Sequence, residues 1–268
     1  MPRSSPAVAT ALLTLACAFG STRPALAQNG IILIDAVPDK TELAVGAALA
    51  AYPKFPGADK LQYLPLPGID LYLSQGAFVS IENGIGWNFS RSKQLQYGVR
   101  LWPEFGRKES DAPELRGLGD IGFRTEGCTF FNYAPWEFLI LQSGLRYGAG
   151  LHRDGLQGEL GATIGAPLGA STLVGLTAAA TWANAAYRQS YFGISAEQSA
   201  TSGRPAYLLG SGLLDTNFGA SVEYRIAANW RFDGQLNVAR LSDATANGPI
   251  TQARNQTTVL ATLYYDFH

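Results

Sequence analysis

The sequence has almost nothing from which to build a metal site or a catalytic triad. Two cysteines and two histidines occur in 268 residues, and Cys17 falls inside an apolar N-terminal run. If that run is removed, only Cys128 remains, so an internal disulfide and any Cys/His ligand spacing are both excluded. Charge is also scarce. Asp, Glu, Lys and Arg make up 15% of the chain, where about 25% is usual. Twenty basic and 21 acidic residues give a net charge of -1, which leaves no basic surplus for nucleic acid. Past the N-terminal run, no stretch reaches the roughly 20 consecutive apolar residues that a membrane helix needs.

What is abundant is glycine, at 30 residues, with 12 Tyr and 13 Phe. Many glycines and aromatics with few charges fit strands and tight turns better than helices. The N-terminus carries a separate message. It has Arg3, an apolar run from Ala7 to Phe19, and "ALA" before Gln28. This is the pattern of a secretory signal peptide, residues 1–27, with cleavage after Ala27. Cleavage and acylation at Cys17 is the rival reading, but "TLAC" places Thr14 where a lipobox prefers Leu.

Alternation of period two dominates the rest. In "WRFDGQLNV", Trp230, Phe232, Leu236 and Val238 fall on one face and Arg231, Asp233, Gln235 and Asn237 on the other. Comparable patterns predict about twelve strands, at 41–52, 61–73, 75–82, 84–91, 94–103, 119–131, 135–147, 157–167, 171–183, 215–226, 229–241 and 257–267. A parity change between Ile140 and Leu145 predicts a bulge in the seventh. The connections alternate between short turns, as at 92–93 and 227–228, and long loops, as at 104–118 and 184–214. Turns at one rim and loops at the other are the pattern of a barrel inserted into an outer membrane. Trp102 and Trp182 near the loop ends, with Trp136 and Trp230 near the turn ends, read as two interfacial girdles, and Trp87 falls outside both. The expected fold is therefore an all-β, antiparallel transmembrane barrel spanning 41–268. A periplasmic segment, 28–40, precedes it. Apolar faces meet lipid and charged faces line the interior.

Particular stretches carry a family likeness. They are Tyr187, Tyr191-Phe192-Gly193-Ile194-Ser195, "SGRPAY" at 202–207, Gly212-Leu213 with Asp215, Asn229-Trp230, "ARLSDA" at 239–244, "GLGDI" at 117–121 and "LPLPGID" at 64–70. The chain in this respect resembles the MipA/OmpV family of MltA-interacting outer-membrane proteins. The resemblance implies a non-enzymatic barrel without cofactor. It also implies, as possible partners, a lytic transglycosylase and a penicillin-binding protein, which one family member is described as joining in murein synthesis. Porin-like and adhesive roles occur in the family too, and membership does not choose among them.

Candidate sites follow from the inward faces. Arg100, Asp120, Arg124, Glu126, Glu223, Arg225, Arg231 and Asp233 should line the lumen, as a structural ion-pair network or as a weakly selective channel wall. The 184–214 loop carries Tyr187, Tyr191, Phe192 and Tyr207, which fold into the mouth, present a binding face or pack on one another. Ile31-Ile32-Leu33-Ile34, just ahead of the first strand, are a partner contact, a plug or an extension of that strand. His152 in "GLHRDG" has no serine placed beside it by the sequence, which argues against a Ser–His hydrolase.

Overall fold

The computed structural model describes residues 36–267; the signal-peptide stretch 1–27 and the Ile31–Ile34 run lie outside them. Twelve antiparallel strands close into one barrel: β1 (Glu42–Pro53), β2 (Leu61–Tyr72), β3 (Ala77–Ser80), β4 (Gly84–Asn88), β5 (Leu95–Glu104), β6 (Arg124–Trp136), β7 (Leu139–Ala149), β8 (Gly155–Pro167), β9 (Thr172–Ala183), β10 (Gly212–Ala227), β11 (Trp230–Leu241) and β12 (Asn255–Phe267). Each strand pairs with its sequence neighbours. The ring closes where β1 meets β12, from Leu43 opposite Phe267 to Ala51 opposite Val259.

The facing follows the alternation. Leu160, Phe218 and Leu176 stand 70%, 63% and 59% exposed, whereas Glu126 and Thr181 are fully buried. A water-soluble barrel would bury the first group, so this belt of large apolar side chains is the surface that meets hydrocarbon. At the seam, a Cβ on Gly46 would lie 1.8 Å from the Leu263 carbonyl oxygen, so only glycine lets β1 approach β12 there.

Several expectations need correcting. β6 begins at Arg124, not 119, because residues 105–123 form an outer loop with two 3-10 turns, Glu109–Asp111 and Pro113–Leu115. No bulge separates Ile140 from Leu145. The register shifts lie at the ends of β7, between Tyr133 and Trp136 and between Tyr147 and Ala149. Trp102 is buried and inward, on the same parity as Arg100, while Trp87 is exposed near the turn end of the short β4. Trp87 therefore joins Trp136 and Trp230 in the lower girdle, and Trp102 belongs to neither.

Candidate functional site

The lumen is built from every second residue of the wall, and its polar groups fall into two tiers. Near the turn rim, Arg231 on β11 reaches Asp70 Oδ2 on β2 at 3.2 Å, Asp266 on β12 at 3.5 Å, and Asp233 two residues along its own strand. Its guanidinium also lies 4.7 Å from the Tyr264 ring centroid. A planar fork with five donors suits three carboxylates and a ring face; one ammonium would not. Glu223 sits opposite Asp233 in the β10–β11 register and Arg225 opposite Arg231, with Arg225 exposed toward the rim.

Above this tier the wall carries Arg100, Glu126, Arg146, Gln157 and Glu159, all buried. Arg146 Nη2 donates to Gln157 Oε1 at 3.1 Å, and Gln157 Nε2 donates to Glu126 Oε1 at 3.4 Å. Arg100 donates to the Asn83 carbonyl at 3.2 Å and lies 5.1 Å from the Trp102 ring centroid. Arg124 takes the same inward parity higher up, beneath the mouth, and donates to the Phe123 carbonyl. Asp120 is not in the lumen. It lies in the 105–123 loop, where its Oδ1 accepts from Glu109 N at 2.8 Å, so it is not brought to Glu126. Asp70, Glu82, Glu104, Arg146, Glu159, Asp215 and Asp266 are charged lumen groups absent from the sequence-derived set. Parity with Arg100 or Arg231 across the paired strands was the signal that could have found them.

The mouth is filled by the β9–β10 connection. It forms α1 (Ala185–Phe192) and α2 (Ala196–Ser202). Asn184 caps α1 by accepting from Tyr187 N at 2.9 Å, and Ser195 with Gln198 makes a capping box for α2. α1 does not lie on the outside. Tyr187, Tyr191 and Phe192 are buried with Ile121, Leu209, Leu214 and Leu241 in one apolar cluster. The Tyr187 and Tyr191 rings stand 4.7 Å apart. Burial and the nearby Glu104 raise both phenol pKa values well above the ordinary range, so both stay protonated.

Other outer loops are knitted into this cap. Arg107 of the 105–123 loop donates to the Ser190 carbonyl at 3.2 Å, and Leu151 N donates to Ser190 Oγ at 3.1 Å. Arg188 donates to the Gly210 carbonyl and to Thr245 Oγ1, within α3 (Asp243–Ala246). Gln198 donates to the Leu118 carbonyl at 2.6 Å, and Tyr207 OH to the Ala244 carbonyl at 2.7 Å. The 54–60 loop joins them, with Phe55 and Ala58 buried against Leu115, Leu118, Ile194 and Ile250, so five outer loops form one packed lid over a charged interior. His152 is exposed at the tip of the 150–154 hairpin loop, whose Leu151 packs into the lid. Among the described residues, no group of three His, Cys, Asp or Glu could hold a metal ion.

Solved structures with a similar overall outline include a NanC porin, 7% identical, covering 84% of this chain and 98% of that one with a TM-score of 0.39. An outer-membrane channel from Pseudomonas putida F1 is 13% identical over 90% of this chain and all of that one, with a TM-score of 0.41. A Pseudomonas aeruginosa FadL homologue is 10% identical over 86% and 91% of the two chains, with a TM-score of 0.40. No curated protein matches the chain. The family model for "MltA-interacting protein MipA" matches residues 45–267, the whole ring from β1 to β12, and the chain belongs to that family.

Proposed function

We propose that this protein is a non-conducting outer-membrane barrel that serves as a structural scaffold, offering its periplasmic rim to a murein enzyme. The observation that carries the reading is the lid. Fully buried Tyr187 and Tyr191 stand over the lumen charges, within a lid made of five outer loops. A solute path along the axis would have to break this packing. The family's description supplies the partner class, an MltA-type lytic transglycosylase, with a penicillin-binding protein as a second candidate from the family resemblance.

Contact would come from the side of the short connections 73–76, 89–94, 137–138, 168–171 and 228–229, and from the segment 28–40 ahead of β1. The Ile31-Ile32-Leu33-Ile34 run is the candidate contact, in a mature chain that begins at Gln28 after loss of residues 1–27. Planar-bilayer recordings of the purified barrel should be silent, and deletion of 29–37 should abolish co-purification of the transglycosylase. Steady single-channel steps would instead carry a second reading, a small-solute channel, which the polar lining of the lumen favours.

A further inference from the structure

The ring has twelve strands at its turn rim but fewer at mid-height. β3 and β4 have only four and five residues, and the hairpin they make ends part of the way up the wall. β2 pairs with β3 only from Asp70 to Tyr72, and β5 pairs with β4 only from Gly98 to Leu101. Above those levels Leu61–Gly68 pair with β1 alone and Trp102–Glu104 with β6 alone. The hairpin tip does not rise into the space. Glu82 reaches Gln235 on β11, at 2.6 Å, and Arg100 holds the Asn83 carbonyl, so the tip is drawn toward the lumen. A notch is left between β2 and β5. At the hairpin these strands are three spacings apart, about 14 Å at about 4.8 Å each.

An open strand edge in hydrocarbon is costly because its N–H groups have no water to bond. Both edges of this notch answer that cost in the same way. Ile69 turns its carbonyl to the notch side, where Ile81 N donates to it, so Pro67 and Pro65, of the same parity, face that side too. Leu101 turns its carbonyl toward Gly84 of β4, so Pro103 faces the notch from the other side. Proline carries no N–H. Three donors are therefore missing where the wall has no partner strand to offer them, which is where proline is tolerated in a sheet.

Behind the notch the lumen changes character. Elsewhere Arg, Glu, Gln, Asn and Thr alternate with the buried rings of Phe78, Phe130, Trp102 and Tyr264, but here the aliphatic Leu64, Leu66 and Leu260 point inward and pack with Phe105 on buried Ala50 and Tyr52. The Tyr52 side chain is 0% exposed, and its hydroxyl has no hydrogen-bond partner among the described residues. The outer rim of the notch, Tyr63 (69% exposed) and Leu101 (53%), is continuous with the lipid-facing belt.

We propose that this notch is a lateral portal that admits an acyl chain of a bilayer lipid, which rests on Leu64 and Leu66 and brings an ester or hydroxyl oxygen within reach of Tyr52. The occupant comes from the membrane because the notch opens into it and the lid closes the axial route. The assignment does not depend on the scaffold reading, since a barrel with or without a murein partner has the same wall.

The test places benzoylphenylalanine at position 66, and separately at 64, in the full chain reconstituted into palmitoyl-oleoyl phosphatidylcholine vesicles. Position 176, on the lipid face, and position 217, in the polar lumen, are the controls. Folding of each variant is checked by its heat-dependent gel mobility, and the second inward position stands in if the first variant does not assemble. After irradiation, a mass gain of one lipid at 66 or 64 as well as 176, but not at 217, is the expected result. Adducts at 176 alone would overturn the portal, and so would equal labelling at 217, which would mean that lipid fills the lumen by another route.

Discussion

The Tyr191 hydroxyl donates to Glu104 Oε1 at 3.1 Å, tying the helix in the mouth to the top of a wall strand 87 residues away in sequence. The bond is buried and its acceptor is a carboxylate, so it ranks among the stronger ones. It joins the two parts of the molecule on which conduction turns: the lid and the lumen beneath it.

Removing the lid should show what it does. Replacing residues 185–202 with a flexible Gly-Ser linker takes out Tyr187, Tyr191 and Phe192 and leaves the barrel ladder untouched. We expect single-channel conductance to appear where the parent protein is silent. A variant that folds and stays silent would mean that the lumen charges alone occlude the path.

Tyr191→Phe is the milder form of the same test. It leaves Glu104 with the Gly106 N–H, 3.1 Å away, but takes away the phenol donor. The expected cost is about 2 kcal/mol, as for hydrogen bonds to charged groups. A lower midpoint for the heat-induced mobility change would record it, with the barrel still assembling.

Arg231→Gln should be worse. Asp70, Asp233 and Asp266 would lose their common counter-charge in a half-closed site, which is worth about 3–5 kcal/mol when one partner of a buried pair is removed. Adding Asp70→Asn and Asp233→Asn should recover most of the loss. Failure of that rescue would assign the effect to the Tyr264 contact instead.

Phe218→Arg tests the facing. A cation near the bilayer midplane on the lipid side costs about 2–4 kcal/mol, so assembly into vesicles should fall, while Phe218→Leu should assemble normally. Equal assembly of both variants would mean that this belt does not meet lipid.

Gly46→Ala tests the seam. A methyl group placed 1.8 Å from the Leu263 carbonyl oxygen must push β1 from β12, so the compact species on unheated gels should be lost. Gly119→Ala meets nothing within 4 Å and has its strain in the backbone, at φ +78, in an outer loop. It should leave closure intact.

Much was legible before any coordinates. In Trp230–Val238 the alternation put Leu236 outside and Asn237 inside, as the structure has them, because a strand's period of two leaves each residue one choice of face. The alternation of long and short connections put the turns at one rim and the loops at the other, as the structure has them, because antiparallel neighbours must turn at opposite rims. The Trp102 and Asp120 readings failed differently. Trp102 was judged by its distance from a loop and not by its parity with Arg100. Asp120 was joined to a strand because "GDIGFRTE" alternates, though Ile121 pairs with Arg107 in an isolated bridge and belongs to the lid.

The sequence by itself determined the class of fold, the number of strands and which face meets lipid, because these follow from local periodicity and from the demand that a membrane-spanning backbone pair with itself. Tertiary structure alone decided what fills the ring. That Tyr191 meets Glu104, that Arg231 gathers three carboxylates from three strands, and that Pro65, Pro67 and Pro103 border one gap are contacts between residues far apart in the chain. No local pattern encodes such contacts. They arise when closure fixes the register of every strand at once.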